Sequence, residues 1–334
     1  MLRMHRNQRD LLLPKYLRGS IALLLGVTCM AAESTASGET IAVFTKNLVN
    51  QNYAALRLGV DRAVAAMGGK TYHRVPAKPD DPTEQIAMLD ALSSEKPDAI
   101  IFNPADIERL AGPFKAVERL GIPVINIVNR AAYADKIAFV GADDELIGYA
   151  TAQYLLNAMG EKANVVILEG PPSATTSVDR SRGFVKALKE HPSIHVVASA
   201  NAKYLQPEAV VQMRAVLATG VPIDGIIAAN DLMALGSLEA LTEAGRAQGV
   251  KVVGINGIPQ AISAVESGRL LATEDYSGFK LGCIAGMAAI RHLRGLPVPR
   301  TINLPVQMID KTNYTRWKVP LEQQQCLLWE ELVR

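Results

Sequence analysis

The chain has little of what several large classes of protein require. It contains three cysteines among 334 residues, too few for a disulfide-rich scaffold or a multi-cysteine zinc site. Its 35 lysines and arginines nearly balance 33 aspartates and glutamates. Nucleic acid is therefore not expected as a partner, because phosphate binding usually needs a clearly basic surface. No apolar run reaches about 18 residues, so we expect no membrane insertion of the mature chain.

Motifs for catalysis and cofactors are also missing. The sequence has no G-x-G-x-x-G after its first predicted strand, no phosphate-binding G-x-x-x-x-G-K-[ST] and no G-x-S-x-G. Its histidines do not show metal-ligand spacing, since Pro192 interrupts any helix that would align His191 with His195. We therefore expect no catalytic residues, no cofactor and no metal, and the protein is not expected to be an enzyme.

The first 36 residues have the pattern of an export signal. Five basic residues precede the apolar stretch 21–32, and small residues follow at 34–36. The alternative is a short helix of the folded domain, but residues 1–17 show no alternation that would let them pack. We interpret 1–36 as a signal peptide and expect the mature protein in the periplasm.

Export determines how the cysteines are interpreted. Cys283 and Cys326 remain after removal of the signal, and an oxidising compartment would allow them to pair. Cys283 also fits an apolar helical pattern, in which a cysteine behaves as a small hydrophobic residue. The sequence leaves both a disulfide and two buried thiols open.

From Thr40 onward, short apolar runs alternate with amphipathic helical stretches. This pattern predicts βαβ units and parallel sheets covered on both faces, and the length favours two sheets of about five strands. The predicted strands are Ile41–Phe44, Thr71–Val75, Ala99–Phe102, Val124–Ile127, Ile137–Val140, Val165–Leu168, His195–Ala198, Gly225–Ala228, Val252–Ile255 and Leu270–Thr273.

Ligands of open parallel sheets bind beyond the carboxyl ends of the strands. The segments there are rich in Asn and Asp, with two Arg and two Tyr: Thr45–Tyr53, Asn103–Asp106, Asn129-Arg130, Gly141–Asp144, Glu169–Arg180, Asn230-Asp231, Asn256-Gly257 and Glu274–Tyr276. Amide and carboxylate groups with aromatic faces suit a small polyhydroxylated ligand. Helix capping explains many single Asn or Asp residues equally well, but it does not explain the arginines.

Several stretches resemble the periplasmic sugar-binding proteins of the ribose/galactose type, the type I solute receptors of ABC importers. The resemblance covers residues 40–310, and Ala228–Gly236 (AANDLMALG) carries it most specifically. The other stretches are Ile41–Tyr53, Asp98–Pro104, Gly121–Arg130, Val140–Asp144, Thr176–Phe184 and Val252–Gly257.

This resemblance implies two Rossmann-like α/β/α lobes with ligand in the cleft between them. It implies crossovers near Ala142, Tyr276 and Leu304, an N-terminal lobe of 38–142 plus 277–304, and a C-terminal lobe of 143–276 plus 305–334. The implied partners are a carbohydrate-like ligand and a membrane permease, with a monomeric chain. The implied binding residues are Asn50, Asn52, Tyr53, Asn129, Arg130, Arg180, Tyr204, Asn230, Asn256 and Tyr276.

The sequence departs from the sugar-binding pattern at charged positions. Asn129 and Asn256 stand where many members have Asp, while Arg130 and Arg180 are kept and Lys46 lies nearby in the sequence. A buried arginine needs a partner. Either the protein supplies it and the ligand is a neutral sugar or polyol, or the ligand itself is acidic.

Two other functions share this architecture. A receptor can present its ligand to a sensor kinase or chemoreceptor, and the sequence does not separate this from transport. The effector domain of a lactose-repressor-type regulator is the further alternative, but it needs a helix-turn-helix before the core. The tail from Asp310 is expected to pack as an extension on one lobe, with Leu327, Leu328, Leu332 and Val333 in a short helix.

Overall fold

A computed structural model describes residues 38–333, so the predicted signal peptide lies outside the described residues. The described residues form twelve strands: β1 Thr40–Phe44, β2 Lys70–Arg74, β3 Ala99–Phe102, β4 Val124–Ile127, β5 Ala138–Ala142, β6 Ala163–Glu169, β7 Ile194–Asn201, β8 Gly225–Ala228, β9 Lys251–Ile255, β10 Ala272–Glu274, β11 Thr301–Leu304 and β12 Met308–Asp310.

Between residues 38 and 333, ten α-helices surround these strands. They are α1 Gln51–Ala66, α2 Pro82–Glu95, α3 Phe114–Leu120, α4 Asp144–Asn157, α5 Thr175–Lys189, α6 Gln206–Ala218, α7 Asp231–Glu243, α8 Pro259–Glu266, α9 Gly278–Leu293 and α10 Trp329–Leu332. Two single turns of 3₁₀ helix, Tyr314–Trp317 and Leu321–Gln323, lie in the C-terminal tail.

The strands form two six-stranded sheets of the same design. The first has the order β2-β1-β3-β4-β5-β11 and is parallel throughout, and the second has the order β7-β6-β8-β9-β10-β12 with β12 alone antiparallel. The fold is therefore two α/β domains, as predicted, here called the first and second lobes. All ten predicted strands are confirmed, whereas β11 and β12 were not predicted.

Burial on both faces explains why the strands read as continuous apolar runs. In β1, Ile41 and Val43 belong to one hydrophobic cluster, and Ala42 and Phe44 belong to another on the opposite face. All four side chains are fully buried. A strand covered by helices on both sides gains from apolar residues at every position rather than at alternate ones.

The chain passes between the lobes three times. It crosses after β5, returns between β10 and α9, and crosses again between β11 and β12. Helix α9 packs closely against α1 in the first lobe, because Gly59 and Gly282 carry no Cβ where the carbonyls of Phe279 and Leu56 approach. These crossings place the carboxyl ends of both sheets beside one cleft.

The C-terminal tail contacts both lobes. Lys318 is ion-paired with Glu266 of α8 in the second lobe, whereas Cys326 forms a disulfide with Cys283 of α9 in the first lobe. The backbone carbonyl of Glu322 also accepts a hydrogen bond from Arg62. The division expected from the sequence places all of 305–334 in the C-terminal lobe and packs the tail on one lobe. The structure differs because the disulfide holds the end of the tail against α9.

No helix between residues 38 and 333 combines the length and apolar character needed to cross a membrane. Within the same part of the chain, no cluster of three or more His, Cys, Asp or Glu side chains could hold a metal ion.

Candidate ligand-binding cleft

The lobes touch each other at the carboxyl ends of their strands. The Thr176 hydroxyl, at the start of α5, donates to Oδ1 of Asn129 beyond β4 at 3.0 Å. At the same ends of the sheets, the backbone N–H of Ile107 in the first lobe donates to the carbonyl of Ser173 in the second at 3.2 Å. The structure therefore describes a closed arrangement of the lobes.

Close packing of α4 and α5 builds a buried ion pair in this cleft. Gly148 lies against the backbone of Arg180, and Gly183 lies against the carbonyl of Glu145, where a Cβ would clash. This approach puts Nε of Arg180 at 2.8 Å from Oδ1 of Asp144. The guanidinium also donates to the carbonyl of Ala229 at 2.7 Å, so its direction in the cleft is determined.

The pair is charged at neutral pH. Burial raises the pKa of Asp144 to about 6, and the neighbouring guanidinium limits that rise. Burial opposes the charge of Arg180, but the Asp144 carboxylate more than compensates and holds the arginine pKa above its ordinary value. Both side chains are about 5% exposed or less, so they interact in an environment where charges are weakly screened.

Three buried tyrosines lie in the cleft, and two of them flank the arginine. The guanidinium carbon lies 5.1 Å from the ring centroid of Tyr276 and 5.9 Å from that of Tyr204, within the range of cation–π attraction. Tyr53 enters the cleft from α1. Burial raises the pKa of all three phenols, so each hydroxyl is protonated and can both donate and accept a hydrogen bond.

A second buried cation, Lys46, reaches the cleft from the first lobe. Its Nζ lies 5.9 Å from the ring centroid of Tyr204 in the second lobe and 3.3 Å from Oδ2 of Asp80. Burial opposes its charge, but Asp80 and the nearby tyrosines hold the pKa of Lys46 above its ordinary value. Each of the two buried cations therefore has its own carboxylate.

Several buried polar atoms in this region have no hydrogen-bond partner among the described residues. They are Nζ of Lys46, Nδ2 of Asn103, Oδ1 of Asn256, Oε2 of Glu274 and the hydroxyl of Tyr276. Buried polar groups in native proteins nearly always have partners, so this concentration at one place indicates groups that serve something other than the fold. The set contains both donors and acceptors.

The other asparagines expected to bind ligand make hydrogen bonds within the protein. Asn50 caps α1, Asn230 caps α7 and donates to the carbonyl of Tyr204, and Oδ1 of Asn52 accepts from the N–H of Gly278. Asn129 accepts from Thr176 across the cleft and donates to the carbonyl of Pro104. These four side chains position the cleft, which matches the capping interpretation for Asn50 and Asn230.

Arg130 lies apart from the buried set. Its side chain is 46% exposed and ion-paired with Asp135 at 3.0 Å. It also donates to the hydroxyl of Thr301 and lies over the ring of Phe139. In this structure it connects the loop after β4 to β11, whereas the resemblance implies contact with ligand.

Sequence reasoning missed several residues of the cleft as individual candidates. Lys46, Asn103, Asp144 and Glu274 all lie in strand-end segments that the sequence had marked, but none was selected from them. Thr176 was part of a recognised motif without a role. The signal was their position at the last residue of a buried strand or one to two residues beyond it, which applies to charged residues as well as to asparagines.

Comparison with known proteins identifies the family. Residues 41–297 match the family model described as periplasmic binding protein domain. The chain belongs to the periplasmic binding proteins. This is a family of solute receptors, not enzymes, in agreement with the absence of a catalytic set from the sequence motifs.

Individual relatives bind small sugars and polyols. The xylitol-binding protein of Mycolicibacterium smegmatis is 34% identical over 200 residues, which is 60% of this chain and 57% of the relative's length. The ribose import binding protein RbsB of Salmonella typhimurium is 27% identical over 87% of this chain and 98% of its own. A solute-binding protein from Actinobacillus succinogenes with bound D-allose superimposes with a TM-score of 0.78 at 32% identity, covering 83% of this chain and 99% of the other.

Proposed function

We propose that the chain is an exported receptor that captures a neutral sugar or polyol by hinge closure and delivers it to an ABC import permease. The observation that carries the proposal is the group of unpartnered donors and acceptors buried between two lobes beside three tyrosine rings. Ligand hydroxyls both donate and accept, so one polyhydroxylated molecule can satisfy a mixed set of this kind.

The charges favour a neutral ligand over an acidic one. Arg180 is paired with Asp144 and Lys46 with Asp80, so neither cation needs a carboxylate from the ligand. Burial and the adjacent Asp275 raise the pKa of Glu274 well above its ordinary range, which disfavours a negative charge on this carboxyl. The sequence had left the partner of the arginine open, and Asp144 supports the neutral alternative.

The comparisons support the same class of ligand. Relatives are named for xylitol, ribose and D-allose binding, which share several adjacent hydroxyls and no charge. We infer export, periplasmic location and delivery to a permease from the family and from the predicted signal peptide. We propose Tyr53, Arg180, Tyr204, Asn256 and Tyr276 as the predicted residues that contact ligand.

Calorimetric titration tests the proposal. The purified chain, unfolded and refolded to remove bound ligand, is titrated with xylitol, D-ribose, D-allose and D-xylonate. Binding of at least one neutral compound is expected, with no binding of the xylonate at pH 7.5. Tighter binding of the acid would overturn the neutral assignment. Loss of uptake of the bound compound on deletion of the gene tests delivery to a permease.

A further inference from the structure

Lys46 is unusually well buried for a lysine. Its side chain is 1% exposed, and it is among the largest fully buried side chains of the described chain. Lysine is almost never fully buried unless it is paired. Its position just beyond β1 therefore requires a partner for the buried charge.

Neighbouring backbone and side chains are arranged to hold a carboxylate beside this lysine. The N–H of Asp80 donates to the carbonyl of Lys46 at 3.0 Å, and Nδ2 of Asn47 donates to Oδ1 of Asp80 at 2.6 Å. Asp80 adopts a left-handed backbone with φ of 56°, a conformation that costs free energy in a residue with a side chain. The loop after β2 is thus fixed so that Oδ2 of Asp80 faces Nζ.

The carboxylate compensates the charge of Lys46 but does not satisfy its donors. Nζ lies 3.3 Å from Oδ2 without hydrogen-bond geometry, and it has no hydrogen-bond partner among residues 38–333. An ammonium has three N–H donors and no acceptor. The ring centroid of Tyr204, in the opposite lobe, lies 5.9 Å from the same Nζ.

We propose that Lys46 is a specificity-determining residue that donates a hydrogen bond to one ligand oxygen held between it and Tyr204. This assignment rests on the proposed function and goes beyond it by naming what the ligand must carry there. The oxygen is a hydroxyl, carbonyl or ring oxygen. A ligand that lacks it leaves a buried ammonium unsatisfied, and a ligand with an amine there meets like charge.

Substitution K46M tests the assignment, because methionine keeps most of the volume and removes the donors. Thermal shift and calorimetry with xylitol, D-ribose and D-allose first identify a compound that the parent binds. That compound is then compared with its monodeoxy derivatives in parent and variant. The exposed Lys70 of β2 gives a control, K70M, in the same lobe.

Because K46M loses a hydrogen bond from a charged donor, it should bind the compound identified with the parent protein about 10–100-fold more weakly. One deoxy derivative that the parent rejects should bind K46M as well as the hydroxylated compound does, and K70M should behave as the parent. Unchanged affinity in K46M overturns the assignment. An equal loss for every compound together with a lower melting temperature of the free protein assigns Lys46 to the fold instead. A parent that binds none of the three compounds counts first against the proposed function.

Discussion

Arg180 of α5 and Asp144 of α4 form an ion pair buried in the cleft, with 2.8 Å between Nε and Oδ1. Removal of one partner from such a pair leaves an uncompensated charge in a poorly solvated place. The pair sets the charge that any ligand meets. Burial raises the pKa of Asp144 to about 6, so this carboxylate begins to take up a proton at mildly acidic pH.

We predict that the D144N variant will accept acidic sugars. Asparagine can keep the hydrogen bond from Arg180 through its own oxygen but no longer compensates the guanidinium. The affinity for D-xylonate relative to xylitol should rise at least tenfold, measured by calorimetry at pH 7.5. The control is D143N at the adjacent residue, where the side chain caps α4 and does not contact the arginine.

The same ratio should depend on pH in the parent. Below pH 6 Asp144 becomes protonated, so the parent at pH 5 should bind xylonate relatively better than at pH 7.5. D144N lacks this carboxyl, so its ratio should change less than that of the parent between the two pH values. A parent ratio that stays constant between pH 5 and 7.5 would show that Asp144 does not set the charge of the cleft.

A second prediction concerns the unpartnered hydroxyl of Tyr276. The Y276F variant removes a buried polar atom that has no partner within the described residues, so the free energy of unfolding of the ligand-free protein should not fall. Ligand affinity should fall about 3–30-fold, since the hydroxyl is expected to pair with the ligand. Calorimetry and urea unfolding measure the two effects.

The matched control for this prediction is Y133F. The hydroxyl of Tyr133 is also buried without a partner in the described part of the chain, but its ring packs against Phe114 in the core of the first lobe. Y133F should leave ligand affinity unchanged. If both variants lose affinity equally, the loss comes from the fold and not from a contact between Tyr276 and ligand.

The sequence was sufficient to predict the two sheets and the sheet edge at which the cleft lies. Strands such as β1 and β8 are buried on both faces, so their apolar runs are unmistakable, and parallel order then determines where their ends meet. By contrast, β11 has only alternate residues buried, and β12 has three residues. Short edge strands give too weak a pattern to be predicted.

The roles of individual side chains were harder to predict. Arg130 lies in the loop after β4 and Arg180 in the second turn of α5, and the sequence marks both as arginines in segments that follow a strand. Arg180 faces the cleft because α4 brings Asp144 against it, whereas Arg130 faces Asp135 and Thr301. Such partners lie between 5 and 171 residues away along the chain. Orientation is therefore decided by tertiary packing, which a single sequence does not display.

A third prediction concerns closure of the lobes. The Thr176 hydroxyl contacts Asn129 of the opposite lobe and the hydroxyl of Tyr204 at 3.1 Å. In T176V the shape of the side chain is kept and these contacts are lost. Ligand affinity should fall about 3–10-fold, mostly through faster dissociation, because the contact with Asn129 forms only when the lobes are together. Stopped-flow measurement of ligand release checks this.

Thr175 provides the control for that experiment. Its hydroxyl is buried and has no partner between residues 38 and 333, so T175V makes the same chemical change one position earlier. The release rate of T175V should equal that of the parent. A faster association rate in T176V with unchanged dissociation would contradict a role in holding the closed form.

The last prediction concerns the disulfide between Cys283 and Cys326, which closes a loop with a sequence separation of 43. Cross-links of this kind stabilise folded proteins by about 2–4 kcal/mol, chiefly by restricting the unfolded chain. The C283A/C326A variant should therefore lose about that much in urea unfolding. Trp329 and Leu332 should keep the tail in place by packing on the hydrophobic cluster that contains Phe279 and Met287.

Reduction gives an independent measure of the same bond. Dithiothreitol should lower the melting temperature of the parent to that of C283A/C326A and should not change the variant. Because Lys318 and Glu266 still join the tail to the second lobe, ligand release should accelerate in the reduced protein only if the tail restrains opening. An equal release rate before and after reduction would show that the disulfide stabilises the fold without restraining the opening of the lobes.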